Sequence, residues 1–290
     1  MEILSRLTNI EDVYALYHPE AVMYLFVILI IFYVGKKVYD LLIPFDLKEQ
    51  LTGVDNKAVA VAFAGYMFAL GIVLWGVLSG EAVRNFYGDL VDTVIWGAIG
   101  IVLLQIARVI NDNILLSRFD NIKELVEDKN IGTGAVEAGT YIGSALLIRA
   151  IISGESEGFL VDIIGTLIFF VCGQLAFILF GMLYQKVTRF DLHAEIEQDN
   201  ASAGVAFGMT LVAIGILLAG FIETSDSLLG FAVWFVICAI LLVIFRYLID
   251  KIILPGRLLD EEISKDRNWG AAMVEGGMAI MVALLITAAF

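Results

Sequence analysis

Eight runs of apolar residues, each close to the roughly 20 residues that cross a bilayer as a helix, succeed one another along this chain with only short connections between them. They lie at about 21–43, 58–80, 90–110, 131–152, 159–185, 201–222, 228–249 and 270–290. Hardly any residues remain for a separate soluble domain. Lipid leaves a spanning backbone two solutions, the helix and the closed barrel, and continuous apolar runs of this length belong to helices. The expected fold class is all-α, a polytopic transmembrane helical bundle of about eight spans. A content of 60% hydrophobic residues and a mean hydropathy of +0.89 lie well outside the range of a soluble domain.

The formal charge of −14 says less than the placement of the cations, because topology follows Lys and Arg and not net charge. All the basic residues except Arg6, Arg84 and Arg149 fall in the connections that lead from an odd span to an even one, from Lys36 in the first to Arg267 in the last. The positive-inside rule then makes those longer connections cytoplasmic and sends both termini out of the cytoplasm. A bacterial inner membrane is the expected location. Residues 1–20 carry Glu2, Glu11 and Asp12 and no apolar h-region, so no cleaved signal peptide is expected. With Ile3, Leu7, Ile10, Tyr14 and Tyr17 on one face, they read as a short interfacial helix. Cys172 and Cys238 lie mid-span and read as apolar filler.

The connections repeat. They read F-D-L-K-E-Q-L from Phe45, F-D-N-I-K-E-L from Phe119, F-D-L-H-A-E-I from Phe190 and L-L-D-E-E-I-S from Leu258, and each is followed by an asparagine that opens the next span: Asn56, Asn130, Asn200 and Asn268. Four positions after the asparagine stands a small residue, Ala60, Gly134, Gly204 or Ala272. Seven positions after it the copies alternate, with Phe63 and Phe207 in the first and third, Glu137 and Glu275 in the second and fourth. A constant shift of 138 residues superposes Trp96 on Trp234, Arg108 on Arg246 and Gly139 on Gly277. The chain reads as a two-helix hairpin doubled and doubled again. Each unit has an even number of spans, so all four hairpins enter the membrane the same way round. Such parallel repeats are related by an axis along the membrane normal, and a pseudo-two-fold, weakly four-fold bundle is expected. The halves are 21–154 and 155–290, packed as one body.

Asp46, Asp120 and Asp191 read as caps of short amphipathic helices on the cytoplasmic surface, Asp46 with Glu49 matching a capping box. The asparagines then cap the spans, each cap stabilising by about 1 kcal/mol. Pro44 and Pro255 end spans one and seven.

The run F-D-N-I-K-E-L-V-E-D-K-N-I-G-T-G-A-V-E-A-G-T-Y-I-G-S-A-L-L, from Phe119 to Leu147, and its relatives around Phe45, Phe190 and Asn268 resemble the bacterial membrane family catalogued as domain of unknown function 350, in two tandem copies after residue 20. The fourth hairpin departs from the pattern, with Arg257 where the second has Phe119. The resemblance implies the multispan topology and assigns no activity. It also implies cytoplasmic partners of the membrane-stress and ATP-grasp ligase kinds.

Glu137 and Glu275 are the candidate functional residues. A carboxylate two helical turns into the bilayer costs a few kcal/mol and must face protein or water. In span four the same face carries Asn130, Gly134, Glu137, Tyr141 and Ser144, a polar stripe. One reading makes the stripe, with its counterpart around Glu275 and Asn268, the lining of a proton or small-cation path. The other makes each glutamate a hydrogen-bonded anchor between helices. The span-eight counterparts Ala272, Ala279 and Val282 are less polar, which weakens a symmetric pore. Gly134, Gly139, Gly143, Gly204, Gly208 and Gly277 have the small-residue spacing that lets helices approach closely. Asp92, Asp162 and Arg149 fall near the outer span ends, as interfacial or vestibule charges.

No zinc-protease, phosphate-loop or nucleophile-elbow motif is present, and His18 and His193 are expected on opposite sides of the membrane. No enzyme activity, cofactor, metal site or nucleic-acid partner is expected. The leading expectation is a small-cation or proton channel or transporter with Glu137 and Glu275 as its titrating pair. The alternative is a membrane scaffold that recruits cytoplasmic proteins through loop acids such as Glu124, Glu127 and Asp128. The lipid bilayer is a partner in either case, and self-association into a homo-oligomer is compatible with both.

Overall fold

The structure, a computed structural model, describes residues 19–80, 85–154, 156 and 158–289. The expected interfacial helix of residues 1–20 therefore lies almost wholly outside the described residues, as do Arg6, Arg84 and His18. Eight of the described helices are long and apolar enough to cross a membrane. They are α1 (Pro19–Leu42), α2 (Lys57–Ser79), α3 (Phe86–Ile110), α5 (Ile131–Ile152), α6 (Phe159–Val187), α8 (Ala201–Ile222), α9 (Leu228–Leu248) and α11 (Trp269–Ala289). Three short helices sit in the basic connections: α4 (Asn121–Val126), α7 (Leu192–Glu197) and α10 (Leu259–Ser264), with residues 47–53 as their equivalent in the first connection.

The repeated loop sequence has a repeated local geometry. Asn56, Asn130 and Asn200 are N-caps whose Oδ1 accepts from the backbone two and three residues on, and Asn268 accepts from Ala271 N at 3.2 Å. The residue before each of them, Asp55, Lys129, Asp199 or Arg267, has positive φ, between 48° and 60°. The chain must turn there from a helix on the surface into one along the membrane normal. A left-handed non-glycine residue costs about 1–2 kcal/mol, so four copies of it mark a turn that the cap has to hold.

Asp120 and Asp191 cap α4 and α7 through the backbone N–H groups two and three residues on. Asp46 accepts from Glu49 N at 2.9 Å, but the carboxylate of Glu49 lies over Gly53 and does not reach back, so the expected capping box is only half made. In the fourth connection Leu258 is the N-cap without a side-chain bond, and Asp250 on the preceding turn accepts from Leu259 N at 2.7 Å in its place.

The capping amides of Asn56, Asn130 and Asn200 also reach across to the next repeat. Asn56 Nδ2 donates to Leu125 O at 2.8 Å, Asn130 Nδ2 to Ile196 O, and Asn200 Nδ2 to Ile263 O at 2.8 Å. The acceptor is in every case a carbonyl near the end of the following surface helix. The second proton of each amide goes to its own loop: Gln50, Glu124 and Glu195 accept it, and Glu262 accepts from Asn268. Loop acids that read as docking charges are thus partly turned inward. Glu124 is buried, and burial raises its carboxyl above the usual range while the Asn130 bond pulls the other way.

The four even spans pack in sequence order, α2 on α5, α5 on α8 and α8 on α11. They form a row with α2 and α11 at its ends, not a closed four-fold bundle. Its two middle members are the most buried spans of all. The row is held by close backbone approach: a Cβ on Gly134 would meet the carbonyl of Ala58, on Gly204 the backbone of Gly132, on Gly139 the carbonyl of Gly208, and on Gly208 that of Ala135. One on Gly143 would meet the ring of Phe177 at 2.8 Å and Leu211 O at 3.1 Å. Gly277 departs from the expected packing role, since a Cβ there meets nothing within 4 Å, and the neighbouring Gly276 is the one that faces Met209 of α8. The odd spans flank this row, with large apolar side chains such as Phe26, Leu160 and Leu229 exposed towards lipid. Two apolar clusters, one dominated by each half, meet on α5, which contributes Tyr141 and Ile148 to one and Val136 and Leu147 to the other. The link at residues 154–158 is therefore a chain connection and not a gap between bodies.

Candidate functional site

Two constellations of the same residue types sit at equivalent places in the two halves. In each, a row helix brings a glutamate seven positions after its cap, and the preceding odd span brings an arginine just before a π-helical turn. Arg108 precedes Asn111–Leu115, and Arg246 precedes Ile249–Ile253. A tyrosine six residues before the loop phenylalanine closes the group. Arg108 lies over the ring of Tyr39 at 5.7 Å and Arg246 over that of Tyr184 at 5.7 Å. Tyr39 packs on Phe63 with ring centroids 5.2 Å apart, and Tyr184 on Phe207 at 5.1 Å. The alternation of Phe and Glu at the seventh position thus gives each half one aromatic wall and one carboxylate.

The partners differ. Glu275, 3% exposed, accepts from Arg246 Nε at 2.8 Å and from Tyr184 Oη at 2.7 Å. The same guanidinium donates through Nη2 to Asp260 Oδ1 at 2.9 Å, so one buried cation joins two acids from α11 and α10. The cavity beside this group is about 20 Å³, room for one water molecule. Glu275 is anchored through Oε1 alone, its Oε2 being buried without a hydrogen-bond partner among the described residues.

Glu137 is equally buried, at 3% exposure, but its hydrogen bond is a long one, 3.3 Å from Tyr141 Oη. No cation lies within ion-pair distance of it among the described residues. Arg108 donates to Leu42 O at 3.1 Å and stands 3.9 Å from Asp112, and its Nε and Nη1 have no hydrogen-bond partner. Gln105, one turn deeper on α3, has neither its oxygen nor its nitrogen bonded. The residue eleven after the cap separates the halves: Tyr141 occupies the space beside Glu137, whereas Ala279 leaves room in which Arg246 and Tyr184 reach Glu275. Polar contacts run from α4 to the level of Glu137. Asn121 Nδ2 donates to Asp112 O at 3.2 Å, Asn111 Nδ2 to Asp112 Oδ1 at 3.3 Å, and Thr140 Oγ1 to Asn111 Oδ1 at 3.0 Å.

The expected polar stripe on α5 is not a single lining. Asn130 is engaged with α4 and α7, Gly134 with α2, and Ser144 accepts from Gln174 of α6 at 2.8 Å. Glu137 and Tyr141 alone share a site. At the far end from the surface helices, a cavity of about 530 Å³ is lined by residues that include Asp89, Asp92, Trp96 and Asp162. Arg149 stands apart from it, paired with Glu223 at 2.8 Å and 4.1 Å over the ring of Trp75.

Sequence reasoning found both glutamates and passed over their arginines. The shift of 138 residues already superposed Arg108 on Arg246, but beside a loop they read as topology-setting charges. Tyr39 and Tyr184 carried a fainter signal, the same distance ahead of Phe45 and Phe190. Among the described residues no cluster of His, Cys, Asp and Glu has the form of a metal site.

The family described as Domain of Unknown Function (DUF350) matches residues 9–152 and again residues 158–290. A UPF0719 transmembrane protein of Aquifex aeolicus (strain VF5) is 24% identical over 262 residues, which cover 88% of this chain and 94% of the relative. No solved structure matches.

Proposed function

We propose that this chain, which belongs to the Domain of Unknown Function (DUF350) family, is a multispan membrane protein that moves protons across a bacterial inner membrane, with Glu137 as the group that takes up and releases them. The observation that carries this reading is the contrast between two equivalent carboxylates. One is locked by a buried arginine and the other, equally buried, is not. A buried carboxylate without a paired cation is expensive in a membrane and is a functional residue by default. Arg108 Nε and Nη1 and the amide of Gln105 make no hydrogen bond, as Glu275 Oε2 makes none at the other site, and buried polar groups of this kind call for water.

The positive-inside arrangement makes the surface-helix face cytoplasmic. On that side Asn121, Asp112, Asn111 and Thr140 lead inward, and at the opposite end of the spans lies the cavity lined by Asp89, Asp92 and Asp162. A single carboxylate bonded only to a phenol suits proton exchange better than the coordination of a metal cation, which needs several oxygens.

Reconstitution into liposomes with an internal pH dye tests the reading. The wild-type chain should dissipate an imposed proton gradient, and Glu137→Gln should abolish that flux while the protein stays folded. Undiminished flux through folded Glu137→Gln would refute it.

A further inference from the structure

We infer that copies of this chain associate head to tail in the plane of the membrane, α11 of one copy packing on α2 of the next through the contact that already joins consecutive repeats within the chain.

The internal contact obeys one rule. Counted from each capping asparagine, the residue at position nine packs on the residue at position eight of the following repeat: Gly65 on Ala138, Gly139 on Gly208, and Met209 on Gly276. Nearer the loops, position four lies against position two of the preceding repeat, Gly134 on Ala58 and Gly204 on Gly132. The last repeat carries position nine as Gly277, with nothing within 4 Å of where its Cβ would be. The first repeat carries position eight as Ala64, which is exposed. Gly277 and Ala64 are the two unused halves of the rule, both small. Gly270 and Ala60 are the other unused pair, exposed and half-exposed respectively.

The asparagine relay has the same two loose ends, and it is independent of the small residues. Asn56, Asn130 and Asn200 each give one amide proton to their own loop and one to the carbonyl of Leu125, Ile196 or Ile263. Asn268 gives one to Glu262, and among the described residues no surface helix receives the other. The equivalent carbonyl in the first loop is that of Leu51, to which no asparagine donates among the described residues. Asn268 of one copy is thus the missing donor for Leu51 of the next.

Orientation allows the match. Because the repeats are parallel, the chain that continues the row enters the membrane the same way round as the one before it, as every copy in a membrane must. The contact is heterologous, so it propagates into a ring or an open row of chains and not into a two-fold dimer.

Paired single-cysteine variants test this, with Cys172 and Cys238 both replaced by Ala. Ala64→Cys and Gly277→Cys, on chains with different tags, are expressed together and oxidised in native membranes. The inference expects a disulfide between the two tags at several times the yield of either variant paired with itself. Both positions are open, so neither cysteine should disturb the fold. Gly277→Leu supplies a second readout: the wild-type chain in native-lipid discs should give masses of several chains, and the variant mostly of one. Same-position disulfides equal to the mixed one, or wild-type discs holding single chains, would overturn the inference.

Discussion

The two constellations should differ in what they contribute to stability, and the difference can be sized. Arg246→Met keeps the apolar stem and removes the guanidinium that bonds Glu275 at 2.8 Å and Asp260 at 2.9 Å. Glu275 would then be a buried carboxylate held by a phenol alone. Removing one member of a buried pair costs about 3–5 kcal/mol, because an uncompensated charge remains. Arg108→Met loses one bond to a backbone carbonyl and a loose 3.9 Å approach of Nε to Asp112, and it also removes two buried nitrogens that make no hydrogen bond. A net cost of about 1 kcal/mol is expected for it, the size of a single hydrogen bond. The gap between the two variants should therefore be about 2 kcal/mol or more. Unfolding in mixed micelles, followed by tryptophan fluorescence, measures it. Glu275→Gln added to Arg246→Met should recover part of the loss, since it removes the stranded charge. Equal losses for the two arginine variants, or a larger one for Arg108→Met, would refute the assignment of one site as locked and the other as open.

Other consequences follow from the repeat geometry. Asn130→Ala removes a cap and two buried amide bonds, to Glu124 and to Ile196 O, and should cost about 2–4 kcal/mol from a cap of about 1 and bonds of about 1 each. Asn268→Ala, with one partner fewer, should cost measurably less in the same unfolding assay. Gly139→Ala places a methyl group on the Gly208 carbonyl and should destabilise by about 1–3 kcal/mol, as overpacking does, whereas Gly277→Ala should be neutral. At Asp191 burial alone would push the carboxyl up, but the backbone N–H groups of Ala194 and His193 and the Arg118 guanidinium outweigh it and leave the group below the usual aspartate range. Its contribution is therefore full above that range and fades as pH falls through the lowered value. Unfolding midpoints followed into acid should show a decline that Arg118→Ala makes shallower.

Span number, hairpin repeat and caps were legible in the sequence because each follows from local chemistry: apolar length, loop charge, and an asparagine before an apolar run. Gly139 and Gly208 were legible as packing residues for the same reason, whereas Gly277 was not. Its neighbours on the chain match those of Gly139, but among the described residues no row helix packs on that face of α11. The row was illegible as well, since sequence symmetry is satisfied by a closed ring and by an open line alike. At the candidate sites the glutamates stood out because a carboxylate in a span is rare. Arg108 and Arg246 did not, because an arginine at a span end has an ordinary explanation in topology. That Tyr141 against Ala279 would separate an open site from a locked one depends on the space around two side chains, which no spacing rule contains.

The central claim is that Glu137 exchanges protons while Glu275 is held in an ion pair. A hydrophobic carbodiimide couples to carboxylic acids in apolar surroundings and spares ion-paired carboxylates, so labelling in native membranes, with the adducts mapped by mass spectrometry, tests the claim directly. An adduct on Glu137, loss of proton flux in step with its formation, and Glu275 unlabelled until Arg246 is replaced are the expected outcomes. Labelling of Glu275 at the rate of Glu137 in the wild-type chain, or full flux with Glu137 modified, would contradict the claim.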